Sequence, residues 1–422
     1  MSQTLRQFEA MIEEQTRGMD PHEAAQRRKT LLDNPVLQQY YSQEGKLFVT
    51  VGDKVVDTLD CQRVMLAYPC QDPDDASHWQ ASPRGQVNLA RTRNGNIWAF
   101  MDTGPIFHSD DDGKSWRWTP GSSHTSSKDF TFTILEDDTF LVVGQTEEAR
   151  TLLVHKSRDL GESWEHVATI SPPAPYVTMQ DDTPAMTQLA DGTILFTAQC
   201  ATKADWSQGR GALVCHSQDA GKSWSVHNVT WDATRLTPDG PEFPPYGPQY
   251  AEAGMICGES HILELPSGSL LHTMRVQRLP KSWEHLSKTV FFTDSDDGGL
   301  TWKNIRPTLD ADGKPVLVCG QCHSWSGRLP DGRIVMAHDH RYPYSQGQTI
   351  AHVSNDGART WDQRAYHLVF GAGYPATLIL DDGTILTVSG AGLSDDKAKS
   401  LASRGLWTSV AVRWKLRPQA TR

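Results

Sequence analysis

Four residues of this sequence carry side chains that together could cleave a bond to a sugar. Glu259, Tyr374, Arg275 and Asp102 each lie beside a short apolar stretch that is typical of a β-strand. A carboxylate next to a tyrosine can activate the phenol as a nucleophile, and a carboxyl group can donate or accept the proton at a glycosidic oxygen. Arginine binds a carboxylate through paired hydrogen bonds. The set therefore suits an acidic sugar as substrate.

A second group of polar and aromatic residues lies between positions 323 and 341. His323 and Arg341 are candidates for substrate binding, and Trp325 is suited to stacking on a sugar ring. His338 and His340 are one residue apart, so on a strand they point the same way. That arrangement is compatible with ligand contact by His340, with a metal, or with a hydrogen-bonded loop. We favour ligand contact without a metal or other cofactor.

An octapeptide of the form S-x-D-x-G-x-x-W indicates how such residues are positioned. Ser and Asp side chains bond to their own backbone and hold a turn, and glycine adopts left-handed backbone angles easily. The tryptophan would pack the turn onto its own sheet. We therefore assign the aspartates a structural role. The copies are 109–116, 157–164, 217–224, 295–302 and 354–361, the last with Ala358 in the glycine position.

A hairpin pattern precedes each octapeptide, in which two apolar runs flank a turn rich in Asp, Asn and Gly. Such turns between alternating apolar runs are strong hairpin signals. In the second copy Thr139 stands where glycine is expected. The copies are 88–100, 131–143, 184–196, 261–272, 324–336 and 376–388.

Six hairpins, five of them followed by a further strand and the octapeptide, predict an all-β fold: a six-bladed β-propeller of four-stranded blades. The last blade has no octapeptide after 407–416, so an N-terminal strand from KLFVTVG or RVMLAYP is expected to complete it. In a propeller the inner strands start around one central funnel. The candidate residues, distant along the chain, would meet there.

The N-terminal segment has a different pattern. Apolar residues fall at helical spacing near Leu5 and Phe8, and Asp20-Pro21 is a typical helix start. We predict a helical extension over 1–42 and a propeller over 43–422. The extension would pack on the outside of the propeller or form a contact between copies in a homo-oligomer.

The composition excludes several classes of function. The net charge of −11 argues against nucleic-acid phosphate as a partner, which requires a basic surface. No apolar run is long enough to span a membrane, and the N-terminus has no apolar leader, so a cytoplasmic protein is expected. The seven cysteines are scattered. Cys319 and Cys322 form a lone CxxC, and a structural zinc site usually needs a second ligand pair.

The octapeptides resemble the Asp boxes, or BNR repeats, of the sialidase superfamily. The segment from Gly258 to Arg275 resembles the sialidase segment with the catalytic glutamate and an arginine of the substrate-binding triad. The segment GYPATLILDDG at 373–383 is similar to the one with the nucleophilic tyrosine. The resemblance implies Tyr374 as nucleophile, Glu259 as its base and Asp102 as acid/base. Arg275 would bind the acid group of the substrate.

The resemblance is incomplete at two arginine positions. Sialidases usually open their first blade with Arg-Ile-Pro, whereas this sequence has SPRGQ, with Arg84 near the aligned position. The third arginine of the triad aligns near Gln346, and Arg341 lies a few residues upstream. Arg84, Arg341 and Gln346 are therefore candidate binding residues, and the sugar need not be a sialic acid.

Three functions fit these features. The first is a retaining exo-glycosidase of the sialidase type acting on an acidic sugar. The second is a lyase, in which Tyr or His removes the proton beside a uronate carboxylate that Arg neutralises. The third is a propeller that only binds carbohydrate, because a fold does not fix a function.

Overall fold

The computed structural model describes most of the propeller region in sixteen stretches. These are residues 20–22, 24–25, 45–52, 54–69, 87–101, 106–119, 129–145, 150–180, 185–204, 211–232, 255–278, 288–316, 321–340, 348–370, 372–391 and 406–419. They are almost entirely β-structure. Of the N-terminal extension, only 20–22 and 24–25 are described. They form one helical turn, in which Asp20 accepts hydrogen bonds from the backbone N–H groups of His22 and Ala24.

Twenty-six strands follow. The first two are β1 (Lys46–Val51) and β2 (Lys54–Pro69). The next eight are β3 (Val87–Arg91), β4 (Ile97–Met101), β5 (Ile106–Ser109), β6 (Arg117–Thr119), β7 (Asp129–Ile134), β8 (Phe140–Gln145), β9 (Leu152–Ser157) and β10 (Glu165–Ile170). The middle of the chain contains β11 (Thr178–Gln180), β12 (Thr187–Gln188), β13 (Ile194–Ala201), β14 (Gly211–Ser217), β15 (Ser225–Asp232), β16 (Met255–Glu264), β17 (Leu270–Arg278), β18 (Lys288–Ser295) and β19 (Lys303–Pro307). The last seven are β20 (Gln321–Arg328), β21 (Ile334–His340), β22 (Gln348–Ser354), β23 (Ala365–Phe370), β24 (Ala372–Ile379), β25 (Ile385–Ala391) and β26 (Leu406–Trp414).

These strands form antiparallel sheets in a propeller-like arrangement. Four sheets are separate: β3 to β6, β7 to β10, β11 to β15 and β16 to β19. A nine-stranded sheet has the order β20-β21-β22-β23-β1-β2-β26-β25-β24. In it, β2 pairs with β26 from near the end of the chain, and β1 pairs with both β2 and β23.

The hairpin turns show why the sequence forms these strands. In the turn between β12 and β13, Gly192 has a φ of 87°, which glycine adopts without steric cost. In the turn between β7 and β8 the same position belongs to Asp138, with a φ of 66°. The sequence-based placement of Thr139 there was wrong by one residue. Aspartate tolerates left-handed angles better than a β-branched threonine does.

The five octapeptides share one hydrogen-bond pattern. In the fourth copy the hydroxyl of Ser295 donates to Asp297 Oδ1 and accepts the N–H of Gly299. Asp297 also accepts the N–H and the hydroxyl of Thr301. Ala358, in the glycine position of the fifth copy, has a φ of 64°, so the turn keeps its shape there at some strain.

The octapeptide turns also position one sheet against the next. A Cβ added to Gly221 would lie 3.2 Å from Leu141, and one added to Gly299 would lie 3.2 Å from Leu195; each leucine belongs to the preceding sheet. Trp361 likewise stacks on Phe292 of the preceding sheet, with ring centroids 5.0 Å apart. The turns therefore pack between sheets as well as onto their own.

Replacing Asp297 with alanine should lower the free energy of unfolding by about 2–3 kcal/mol, because several hydrogen bonds to one charged group are lost. Urea titration measures this. Asp296→Ala is the matched control on the same turn. Asp296 is exposed, and among the described residues it pairs with Lys303 and Ser269, so its loss should cost much less than the loss of Asp297. Equal costs for both variants would contradict the assigned role of the turn.

The apolar core lies between neighbouring sheets. One cluster joins Leu141 and Val143 of β8 to Phe196 and Ala198 of β13. Another joins Val335 and Ala337 of β21 to Ile385 of β25 and Val412 of β26, among others. No described helix is long and apolar enough to cross a membrane.

Candidate active site

Three buried residues lie at β-bulges near the starts of β16, β20 and β24. The pairing register shifts around Glu259 between Gly258 and Ser260, around His323 between Cys322 and Ser324, and around Tyr374 between Gly373 and Pro375. A bulge inserts one extra residue into a strand and redirects its side chain.

All three bulged residues have left-handed backbone angles. The φ values are 48° for Glu259, 27° for His323 and 51° for Tyr374. Positive φ is uncommon outside glycine and costs on the order of 1–3 kcal/mol per residue. Strain of this kind concentrates at functional sites. Its recurrence at equivalent positions of three strands marks this end of the strands as the candidate site.

The carboxylate of Glu259 is the centre of the site. Its Oε1 lies 2.6 Å from Nη1 of Arg275 and 3.4 Å from the hydroxyl of Tyr374, which donates to it. Its Oε2 accepts the backbone N–H of His323 at 2.9 Å. Glu259 is 4% exposed, so it is removed from water. A buried carboxylate must be paired to be tolerated. The guanidinium, the phenol and the backbone N–H all direct a hydrogen toward it, and together they supply that pairing.

Arg275 reaches Glu259 from the next strand of the same sheet. It lies on β17, directly opposite Gly258 of β16. The ion pair is almost completely buried, which makes it strong only when hydrogen bonds satisfy the remaining polar atoms. The described contacts engage both carboxylate oxygens of Glu259.

The imidazole of His323 lies beside Tyr374, with ring centroids 5.7 Å apart and planes tilted by 46°. Burial lowers the pKa of His323, and this effect outweighs the opposite influence of Glu259 and Asp339. The ring is therefore neutral at pH 7, which is the form in which an imidazole can accept a proton.

Asp339 and Gly373 form the wall next to Tyr374. Asp339 is 1% exposed, and a Cβ added to Gly373 would lie 3.0 Å from its Oδ2 and 3.1 Å from its Cβ. Glycine at 373 thus permits the approach of β21 to β24. The sequence contains one signal for this arrangement, since glycine precedes both Glu259 and Tyr374.

The structure brings together four of the candidate residues, Glu259, Arg275, His323 and Tyr374. Trp325 is two residues beyond His323 on β20 and stacks on His261, with centroids 4.8 Å apart. It lines a separate cavity instead. His340 lies at the end of β21, with its ring 6.4 Å from that of His338.

The remaining candidates, Asp102, Arg84, Arg341 and Gln346, lie outside the described residues. Among the residues that are described, no group of three or more His, Cys, Asp or Glu side chains could hold a metal ion. Sequence analysis missed the backbone N–H of His323 as a ligand of Glu259, because it depends on the bulge and not on the side-chain type.

Similarity to known proteins was found at the level of structure. No model of a known protein family matches the sequence, and no curated protein matches it. A protein of unknown function from Dyadobacter fermentans is 16% identical, with a TM-score of 0.56, covering 85% of this chain and 99% of that chain.

Two glycoside hydrolases are similar to the same degree. The α-L-arabinanase of Penicillium chrysogenum, complexed with arabinobiose, is 14% identical with a TM-score of 0.55, covering 83% of this chain and 97% of its own. A Hadza microbial sialidase is 16% identical with a TM-score of 0.54, covering 83% of this chain and 68% of its own. At such identities the similarity establishes a propeller-like fold, which these two glycoside hydrolases share.

Proposed function

We propose that this chain is a glycoside hydrolase that cleaves its substrate at Tyr374 and Glu259 by a retaining mechanism. The observation that carries the proposal is the 3.4 Å contact from the Tyr374 hydroxyl to the Glu259 carboxylate, both of which are buried. A tyrosine beside a carboxylate is the nucleophile arrangement of sialidases, the exception among glycosidases.

The chemistry has two steps. Glu259 takes the phenolic proton while the Tyr374 oxygen attacks the anomeric carbon, and the bond to the leaving oxygen breaks. That oxygen receives a proton from an acid, for which Asp102 is our candidate. Water then attacks the anomeric carbon and gives a proton to Asp102. The bond from the sugar to Tyr374 breaks, and Tyr374 regains its proton from Glu259. Arg275 holds the Glu259 carboxylate in place.

An acidic sugar is the substrate class that we propose. Arg275 supports it, because a guanidinium beside the reacting groups can pair with a substrate carboxylate as well as with Glu259. The sialic acids are one such class. The resemblance of the octapeptides to the Asp boxes of the sialidase superfamily, with the turn geometry described above, supports the same choice.

We also propose six blades. The nine-stranded sheet divides into β20 to β23 and β24, β25, β26 with β2, joined by β1. A single cavity is lined by residues of β3, β7, β12, β16, β20 and β24, one inner strand from each of six hairpins. Six strands around one cavity support six blades around one axis.

A lyase remains the second candidate because of one contact. The neutral imidazole of His323 lies against Tyr374, and a His–Tyr pair is suited to removing the proton beside a uronate carboxylate. In that reaction the C–O bond breaks as a C=C bond forms, so no water enters the product.

The test is a substrate panel of aryl sialosides, aryl arabinosides, aryl uronides and uronate oligomers. We expect release of the aryl group from one acidic glycoside, with no new ultraviolet absorbance in the sugar product. Unsaturated sugar products that absorb ultraviolet light would establish the lyase instead. The absence of any product, with sugar still bound in calorimetry, would leave a binding protein and overturn the proposal.

A further inference from the structure

A second site lies on the same axis as the candidate active site, farther along the inner strands. A cavity of about 750 Å³ begins at His261 of β16 and Trp325 of β20, each two residues beyond a bulge residue of the candidate site. At about 3.3 Å per residue along a strand, the two sites are some 6–7 Å apart at their nearest. Glu259, His323 and Tyr374 do not line this cavity.

His261 and Trp325 form the layer between the two sites. Their rings stack, with centroids 4.8 Å apart and planes at 21°. The Nδ1 atom of His261 accepts the backbone N–H of Ser326 at 3.2 Å. An acceptor nitrogen carries no proton, so the imidazole proton is on Nε2.

The floor of the cavity presents donors that the described residues do not match with acceptors. Both rings line the cavity, and no hydrogen bond among the described residues uses the Nε2–H of His261 or the Nε1–H of Trp325. The hydroxyl of Ser326, beside them, is buried and has no partner among the described residues. Donors that line a cavity and meet no protein acceptor are available to a ligand that brings acceptors.

Three arginines and two carboxylates line the cavity, so the charge of its lining is positive by one: Arg91, Arg93, Arg328, Glu136 and Asp381. Arg91 pairs with Asp381 at 2.9 Å, and Arg93 pairs with Asp138 at 3.2 Å. Arg328, at the end of β20, is exposed and has no ion pair among the described residues. It therefore offers a positive charge to an anion in the same cavity that His261 and Trp325 line.

We propose that this cavity binds a small carboxylate, with the carboxylate oxygens directed to the His261 and Trp325 N–H groups and the negative charge compensated by Arg328. A carboxylate offers only acceptors, which matches the donors of the floor. The volume accommodates a molecule as large as a sugar acid. The proposal is independent of the proposed hydrolase activity, because it uses none of the residues that carry that activity.

The test is calorimetric titration of the full chain with D-glucuronate. We expect one binding event that Arg328→Gln weakens at least tenfold. Trp325→Phe, which keeps the ring against His261 but removes the N–H donor, should weaken binding about threefold to tenfold. Arg359→Gln is the matched control: Arg359 is an exposed arginine on the octapeptide turn of residues 354–361, far from the cavity lining, and its loss should leave the affinity unchanged.

Two probes define the ligand class. D-Glucose, which lacks the carboxylate, should not bind, and inorganic phosphate should bind more weakly than D-glucuronate. Unchanged affinity for D-glucuronate in both Arg328→Gln and Trp325→Phe would place the anion elsewhere, such as beside Arg275, and overturn the proposal. Tighter binding of phosphate, lost in the same variants, would overturn its assignment to a carboxylate.

Discussion

Tyr374→Phe should lower kcat on any glycoside that the chain hydrolyses by at least about a thousandfold, because it removes the attacking oxygen and leaves the ring in place. The stability cost should be small. The described hydrogen bond that the variant loses, 3.4 Å long and made to Glu259, is worth about 0.5–1.5 kcal/mol. Steady-state kinetics and urea unfolding on the same preparation separate the two effects.

The matched control is Tyr366→Phe. Tyr366 is also buried, on β23, and it packs against Trp414 away from the site. Its kcat should equal that of the wild type. Glu259→Gln should reproduce the loss of turnover, since an amide cannot take the phenolic proton. Wild-type kcat in Tyr374→Phe would rule out the tyrosine as nucleophile, whatever the control shows.

Acidification from pH 7 to pH 5 should markedly lower the free energy of unfolding. Among the buried histidines, burial lowers the pKa to about 3 for His261, His272 and His367, to about 4 for His352, and well below the ordinary value for His338. Because these residues are neutral when folded and have a pKa near 6.5 when unfolded, the unfolded chain binds more protons below that pH.

The stability that the fold gains by keeping these histidines neutral is complete above pH 6.5. It is lost as the pH falls through 6.5 towards their folded-state pKa values. Each of the four histidines with a folded-state pKa of about 3 or 4 costs about 2 kcal/mol between pH 7 and pH 5, and together they are comparable with the ~5–15 kcal/mol total stability of a typical protein. Urea titrations at pH 7, 6 and 5 measure the slope.

His272→Leu tests the origin of this slope. Neither ring nitrogen of His272 has a hydrogen-bond partner among the described residues, so leucine removes the proton-binding group without stranding a polar neighbour. The variant should lose about 2 kcal/mol less than the wild type between pH 7 and pH 5. His166→Gln, at an exposed position on β10, is the control for removing a histidine from the surface. A wild-type free energy of unfolding that is constant over this range would refute the explanation.

Sequence patterns predicted which residues lie near one another better than the contacts that they make, and the functional roles of these residues stay predictions. Glu259, Arg275 and Tyr374 were identified because hairpin positions indicate which residues start or follow the inner strands. The contact of Glu259 with the backbone of His323 could not be predicted, since it arises from a bulge that shifts the register by one residue. Trp325 was expected in the site, whereas it lines the adjacent cavity, because depth along a strand does not follow from residue type.

The sheets were predicted from local signals, and so was one of their joins: β2, which contains RVMLAYP, pairs with β26 as the sequence predicted. The pairing of β1 with β23 was not predicted. The hairpin and octapeptide patterns act over fewer than about fifteen residues, and each forms as its turn chemistry requires. The pairing of β1 with β23 depends on which strand, distant along the chain, has an unpaired edge when β1 joins the sheet. Composition alone contains no signal for such a long-range choice.

The strand pairing between β2 and β26 has a consequence for how the protein is made. Arg413 bonds to Gln62 across this seam, over a separation of 351 residues. During synthesis β2 leaves the ribosome about 350 residues before β26, and its hydrogen-bonding edge stays unpaired over that interval. Contacts of such high sequence separation form slowly, and an unpaired edge can pair with another chain. The nascent chain is therefore open to pairing with other chains at this edge until β26 emerges.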